Sequence, residues 1–332
     1  MAAPPKLGEF AIIERFFAPL ARDDLGALGL RDDAAVLDTR AGERLAVTTD
    51  ALVAGVHFLR RDAPDLIARK LLRVNLSDLA AMGSVPLAYT ISLALPEDVS
   101  EDWLERFAAG LRLDQEAFDI GLVGGDTVST PGVLTLSLTA FGRIARGGPL
   151  TRAGAGLDED VYVSGAIGDA FLGLSVLRRR LRVTERRHRD HLVGRYRLPE
   201  PRLSLGVGLV GLATACIDIS DGLIGDLAKL CRVSGIGADV EAHRIPLSPA
   251  ARAAVTDDQR LHVSLLSGGD DYELAFTAPP AAARRIQDLA ERLGVQVTRL
   301  GRTSRSAGVR VTDSTGGAME VPYAGYQHFR HG

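Results

Sequence analysis

The chain has 332 residues, 46% hydrophobic and 24% charged, enough apolar material for two cores without disulfides or a structural metal. A net charge of −3 argues against a nucleic-acid binder, and no run of 18 apolar residues offers a membrane span. The opening stretch MAAPPKLGEFAIIERF lacks a secretory signal's apolar core, since Glu9, Glu14 and Arg15 interrupt it. Cys216 and Cys231 are the only cysteines and have no zinc-type spacing, so a cytoplasmic protein is expected. Of 39 basic residues only Lys6, Lys70 and Lys229 are lysines, so fixed positive charge is almost entirely guanidinium.

In chain order, Glu9 to Leu20 reads as a short amphipathic helix, and Leu45 to Thr49 as a β-rich run ending at Asp50. Pro64 opens a helix that continues to Gly83, and Leu87 to Leu95 is a strand. Ser100 caps a further helix whose first turn holds Glu101 and Asp102. Ile120 to Val123 enters Gly124-Gly125-Asp126, and Val133 to Ile144 alternates as a strand. Glycine and arginine cluster from Arg143 to Gly156, which suggests a junction. Beyond it, helices are expected at Asp169–Leu181, Pro201–Ala213, Leu223–Val233 and Ala281–Leu293. Strands are expected at Val161–Val163, Tyr272–Phe276, Val295–Leu300 and Gly308–Val311. The fold class is therefore α+β in two domains.

Carboxylates recur beside glycines or at the ends of apolar runs: Arg31-Asp32-Asp33-Ala34, Thr48-Thr49-Asp50, Asn75-Leu76-Ser77-Asp78, Gly124-Gly125-Asp126-Thr127, Asp218-Ile219-Ser220-Asp221-Gly222 and Gly268-Gly269-Asp270-Asp271. Any one of these suits a turn. Six of them point elsewhere, because clustered unpaired carboxylates cost several kcal/mol each unless a cation balances them. Mg²⁺ takes such hard oxygen ligands together with substrate phosphates, and glycines let backbone N–H groups approach a phosphate. Asp50 and Asp126 are expected at the carboxyl ends of strands; Asn75 and Asp78 share a helix face.

Three other motifs carry nothing. Gly206-Val-Gly208-Leu-Val-Gly211 lacks a preceding strand and reads as helix, and His188-Arg189-Asp190 lacks the asparagine of a kinase catalytic loop. The ten arginines from Arg178 to Arg202 read as a solvated helix face without an aromatic platform for single strands. No Gly-Lys pair exists for a Walker A loop, so any ATP chemistry must rely on metal and arginine.

The segments GEFAIIERF, LRDDAAVL, TTDALVAGVHF, VNLSDLAAMGSVP, VGGDTVS, LTRAGA, IDISDGLIGDL, SGGDDYEL and GYQHF, in this order, resemble the thiamine-monophosphate kinase family, within the superfamily of aminoimidazole ribonucleotide synthetase. The resemblance spans nearly the whole chain. It implies transfer of the γ-phosphoryl of ATP to thiamine monophosphate, several Mg²⁺ ions, and a homodimer. It implies an N-terminal mixed α/β domain (1–145) for ATP, Mg²⁺ and dimerisation, and a C-terminal α/β/α domain (146–332) completing the active site. Asp33, Thr48, Thr49, Asp50, Asp78, Asp126, Asp218 and Asp221 fall on the family's metal positions. Gly125, Asp126, Arg152 and Ser220 fall on its nucleotide positions, with Asp126, Asp218 and Arg152 at the transferring group. His57, Asp270 and Tyr323 fall on its substrate positions. Two residues depart from the family: Asp270 stands where Glu is usual, and Tyr323 where Trp or Phe is usual. The competing expectations are another ATP-using member acting on a purine intermediate or on selenide, or a non-catalytic metal- or nucleotide-binding regulator. The first cysteine, Cys216, lies too far along the chain for the N-terminal reactive thiol of a selenide enzyme.

Overall fold

The computed structural model describes residues 9–25, 27, 37, 43–144 and 146–321. Two compact units divide the chain: Met1–Leu79 with Val85–Ile144, and Ala80–Ser84 with Ala145–Gly332.

The first unit opens with helix α1 (Glu9–Ile12), which passes into a π turn over Ile13–Phe17 and a 3₁₀ turn at Ala18–Leu20. The single amphipathic helix expected here is thus broken, and Pro19 at its end removes an amide donor from the ladder. Strands β1 (Leu45–Val53), β2 (Ser84–Pro96), β3 (Gly121–Thr130) and β4 (Thr135–Ile144) form one sheet in the order β1-β4-β2-β3. Helices α2 (Pro64–Ala81) and α3 (Glu101–Phe118) complete the unit. Ser100 caps α3 as expected, its hydroxyl accepting the Trp103 amide.

Period-2 alternation sets which face of β1 is covered: Leu52 is 3% exposed, Val47 59%. Asp50 and Asp126 do not lie at strand ends, as expected from their apolar lead-ins, but inside β1 and β3, because pairing with β4 and β2 continues past them. The two helices are locked by Asp114, fully buried, which takes Arg69 Nε at 2.9 Å and Arg73 Nε at 2.6 Å. Tyr89 on β2 donates to Gln115 on α3 at 2.7 Å.

The second unit is an α/β/α sandwich. Strands β5 (Asp160–Ser164), β6 (Ala215–Asp218), β7 (Gly237–Glu241), β8 (Leu274–Ala278), β9 (Val297–Ser304), β10 (Gly308–Thr312) and β11 (Ala318–Met319) form a sheet in the order β11-β10-β7-β9-β5-β8-β6. Its helices are α4 (Asp169–Leu177), α5 (Arg186–Arg197), α6 (Leu203–Leu209), α7 (Leu223–Ser234), α8 (Pro249–Asp257), α9 (Arg260–Ser267) and α10 (Ala283–Leu293). On β5, Val161 and Val163 join one core with Leu223, Ile224, Leu227 and Leu230 of α7. Tyr162 faces the other core, with Leu205 and Leu209 of α6 and Ile286 of α10. Each buried leucine of α7 contributes about 1.5–3 kcal/mol relative to exposure.

The packed helix expected through 206–211 is borne out only in its first part: α6 ends at Leu209, and Gly211 (φ 76°) is exposed beyond it. A Cβ at Gly206 would run into the Ala80 carbonyl. The solvated arginine face is corrected in part: Arg195 and Arg202 keep only 10% and 17% of their side chains exposed, because a buried carboxylate, Glu273, draws both inward.

Candidate active site

In the first unit, α2 presents two polar side chains to β1 one helical turn apart. Asp78 accepts from the Thr48 hydroxyl at 2.5 Å, and Asn75 accepts the Asp50 amide at 3.1 Å. Asn75 is fully buried, and its NH₂ donates to the Leu71 carbonyl, so its oxygen is held towards the strand. Thr48, Asp50, Asn75 and Asp78 are therefore brought together, as the shared helix face implied. Thr49 points to the opposite face, where its hydroxyl accepts from Thr139 and donates to the Leu138 carbonyl.

His57 follows the tight turn at Gly55 (φ 85°). Its Nδ1 accepts the Val53 amide at 3.0 Å, which fixes the neutral ring as the Nε2–H tautomer. Buried Lys70 donates to the His57 carbonyl at 3.1 Å. Gly125 and Asp126 are exposed on β3, opposite Ile91 and Ser92. A side chain at Gly125 would strike the Ile91 carbonyl, so only glycine lets β3 pass there. β1 and β3 are the two edges of the sheet, which separates Asp50 from Asp126 by three strand spacings, roughly 14 Å along the sheet.

In the second unit, two loops are sewn together by backbone bonds. The Asp270 amide donates to the Ser220 carbonyl, the Tyr272 amide to Ile219, and the Ile219 amide to Glu273, each at 2.8 Å. This sets Asp270 beside Ser220, in the loop that follows Asp218, which is 4% exposed at the end of β6. Gly269 is obligatory, since a Cβ would strike the Ser220 carbonyl. Asp270 (φ 73°) and Tyr272 (φ 52°) both sit in the left-handed region, uncommon for a residue as bulky as tyrosine. Exposed Arg152 is held through its backbone: its carbonyl accepts from Ser234, while the Thr151 carbonyl accepts from Cys216 at the start of β6.

The strained loop is rooted in a buried polar layer. Asp271 accepts the Gly168 amide at 2.7 Å and the Ala170 amide at 3.3 Å, and burial pushes its carboxyl well above the usual range. Glu273 is fully buried and takes Ser164, Arg195 and Arg202 together. Beside it, Asp169 at the start of α4 holds His191 Nε2 at 2.7 Å and the Ser248 hydroxyl at 2.6 Å. That hydrogen bond to Asp169 raises the imidazole pKa above its unfolded value. The stabilisation is thus complete below about pH 6.5 and is lost as pH rises through the folded value. The gap in melting temperature between the wild type and His191→Gln is expected to be larger at pH 6 than at pH 9; equal gaps would contradict the ion pair.

Asp33 and Tyr323 lie outside the described residues. Among the described residues, no three His, Cys, Asp or Glu side chains form a preassembled metal cluster. Thr48, Asp50 and Asp78, and on the other edge strand Asp126, nevertheless carry hard oxygen donors of the kind that suits Mg²⁺, whereas the Thr49 hydroxyl faces away from them. Asp221 is different: Lys229 Nζ lies 2.5 Å from its Oδ2 and 2.7 Å from Asp226 Oδ1. Neither Lys229 nor Asp226 was singled out from the sequence as a site residue, although three lysines among so many arginines were a signal. Among the described residues, no helix is long and apolar enough to cross a membrane.

Residues 31–144 match the N-terminal domain model of AIR synthase related proteins, and residues 161–314 match the C-terminal one. The thiamine-monophosphate kinase of Caulobacter vibrioides is 42% identical over 311 residues, covering 93% of this chain and 87% of that protein. The crystal structure of thiamine-monophosphate kinase from Stenotrophomonas maltophilia superposes with a TM-score of 0.83 at 42% identity, covering 94% of this chain and 98% of that one. AaThiL complexed with AMPPCP and TMP superposes with a TM-score of 0.76 at 31% identity, covering 99% of this chain and 100% of that one. With two AIR-synthase-related domains and likeness along nearly its whole length, the chain belongs to the thiamine-monophosphate kinase family.

Proposed function

We propose that this chain transfers the γ-phosphoryl group of ATP to thiamine monophosphate, giving thiamine diphosphate and ADP by direct in-line attack. The observation that carries this reading is the 42% identity to a thiamine-monophosphate kinase over 93% of the chain. Thr48, Asp50, Asp78 and Asp126 of the first unit would hold Mg²⁺, and in the second unit Asp218 offers a further carboxylate of the same kind. Bound there, the metal supplies charge neutralisation for phosphate groups that otherwise repel.

The chain's own groups position the reactants. In the second unit Arg152 offers a fixed positive charge for a phosphate, and in the first Gly125 leaves its backbone open to one. Ser220 offers a hydroxyl beside Asp218. The acceptor phosphate is already an oxyanion, so no general base is needed, and His57 acts as an Nε2–H donor to the substrate. Asp270 places a carboxylate for the cationic thiamine. Asp270→Ala is expected to raise KM for thiamine monophosphate roughly tenfold or more, the weight of a charge-assisted contact, with a smaller change in kcat. An unchanged KM would remove Asp270 from the substrate site.

We further propose a homodimer built on the first unit. Its sheet leaves Val47 (59% exposed) on one edge strand and Val128 (49%) on the other. A second copy that sets its β3 edge beside β1 would bring its own acidic strand about 4.8 Å from β1, in place of the roughly 14 Å within one chain. Both cysteines are free and buried, which suits a reducing cytoplasm.

A coupled assay for ADP tests the reading. ADP release should require thiamine monophosphate and a divalent cation together, with thiamine diphosphate formed one to one. ADP release indifferent to thiamine monophosphate would overturn it.

A further inference from the structure

The two described lysines of this arginine-dominated chain both touch segments assigned to the site. Lys70 donates to the His57 carbonyl, and Lys229 bridges Asp221 and Asp226. The second contact is a small built network. Asp226, on α7 with a side chain only 2% exposed, uses Oδ2 to accept the amides of Ser220 (3.0 Å) and Asp221 (2.9 Å). Its Oδ1 accepts from Lys229 at 2.7 Å, and the same ammonium reaches Asp221 Oδ2 at 2.5 Å. Lys229 thus stands between two carboxylates.

This arrangement conflicts with Asp221 as an ion ligand. A divalent ion bound about 2.0–2.1 Å from a carboxylate oxygen would share that group with an ammonium already at hydrogen-bond distance. Like charges that close repel strongly in a site only 30–35% exposed. Lysine also fits where arginine would not: a compact point charge on a flexible stem can serve two carboxylates from one atom, whereas a guanidinium presents a planar fork.

We propose that Lys229 is a built-in cation of the nucleotide loop, standing at Asp221 in place of a divalent ion and fixing the backbone of Ser220 through Asp226. The proposal rests on the phosphoryl-transfer reading of the site. Lys229 is a positioning residue, and its consequence is a count of ions: with Lys229 present, Asp221 recruits none.

Equilibrium dialysis of the full-length chain against MnCl₂, with a non-hydrolysable ATP analogue present, reads that count directly. Asp221→Asn should leave the number of Mn²⁺ ions per chain unchanged. Lys229→Met should add one, and the double variant should return to the wild-type number. Loss of one Mn²⁺ in Asp221→Asn overturns the proposal, as does an unchanged count in a folded Lys229→Met. Should Lys229→Met fail to fold, the Asp221→Asn count decides alone. A wild-type chain that binds no Mn²⁺ with the analogue and releases no ADP overturns the reading of the whole site, a result distinct from either.

Discussion

Asp126→Asn is expected to lower kcat by roughly 100- to 1,000-fold, the loss seen when one preorganised electrostatic contact is removed from a charged transition state. Asparagine keeps the shape and one oxygen but not the charge that binds a hard cation. Folding should hardly notice. Asp126 is exposed on an edge strand, and substitutions in such places change stability by about 0.5 kcal/mol or less. Turnover measured by ADP release, alongside the urea midpoint, separates the two effects. A midpoint that falls in step with activity would assign Asp126 a structural part instead.

Glu273→Ala should do the reverse of this, acting first on stability. The carboxylate accepts from Ser164 at 2.6 Å, Arg195 at 2.9 Å, and Arg202 through Nε and Nη2, both at 2.6 Å. Removing it leaves both guanidiniums only Glu200, at 3.1 and 3.3 Å, as a carboxylate partner in a largely buried layer, at a cost of about 3 kcal/mol. Because the Glu273 carbonyl also receives the Ile219 amide, the damage should spread to the loops that carry Ser220 and Asp270. Chemical denaturation checks the value, and a loss of less than about 1 kcal/mol would contradict the network.

Much of this was legible in the chain itself, for identifiable reasons. Alternation marked β4, proline marked the start of α2, and a serine marked the cap of α3, because each depends on local chemistry. β6 leaves no mark in the sequence because Ala215–Asp218 is only four residues long and buried throughout, so no face alternates. β7 is likewise five residues, opening on a glycine. Asp50 and Asp126 read as strand ends because a carboxylate after an apolar run resembles one. Here the strands simply continue, with those residues on accessible stretches. The partners of Arg195 and Arg202 could not be read at all, since Glu273 lies 78 and 71 residues away and nothing local betrays its burial.

The most direct measurement is a crystal of the full chain grown with Mn²⁺, a non-hydrolysable ATP analogue and thiamine monophosphate, with anomalous differences collected at the manganese edge. The account predicts Mn²⁺ peaks against side-chain oxygens of Asp78 and Asp126, with none on Asp221. Manganese bound only to the triphosphate, remote from both carboxylates, would contradict it.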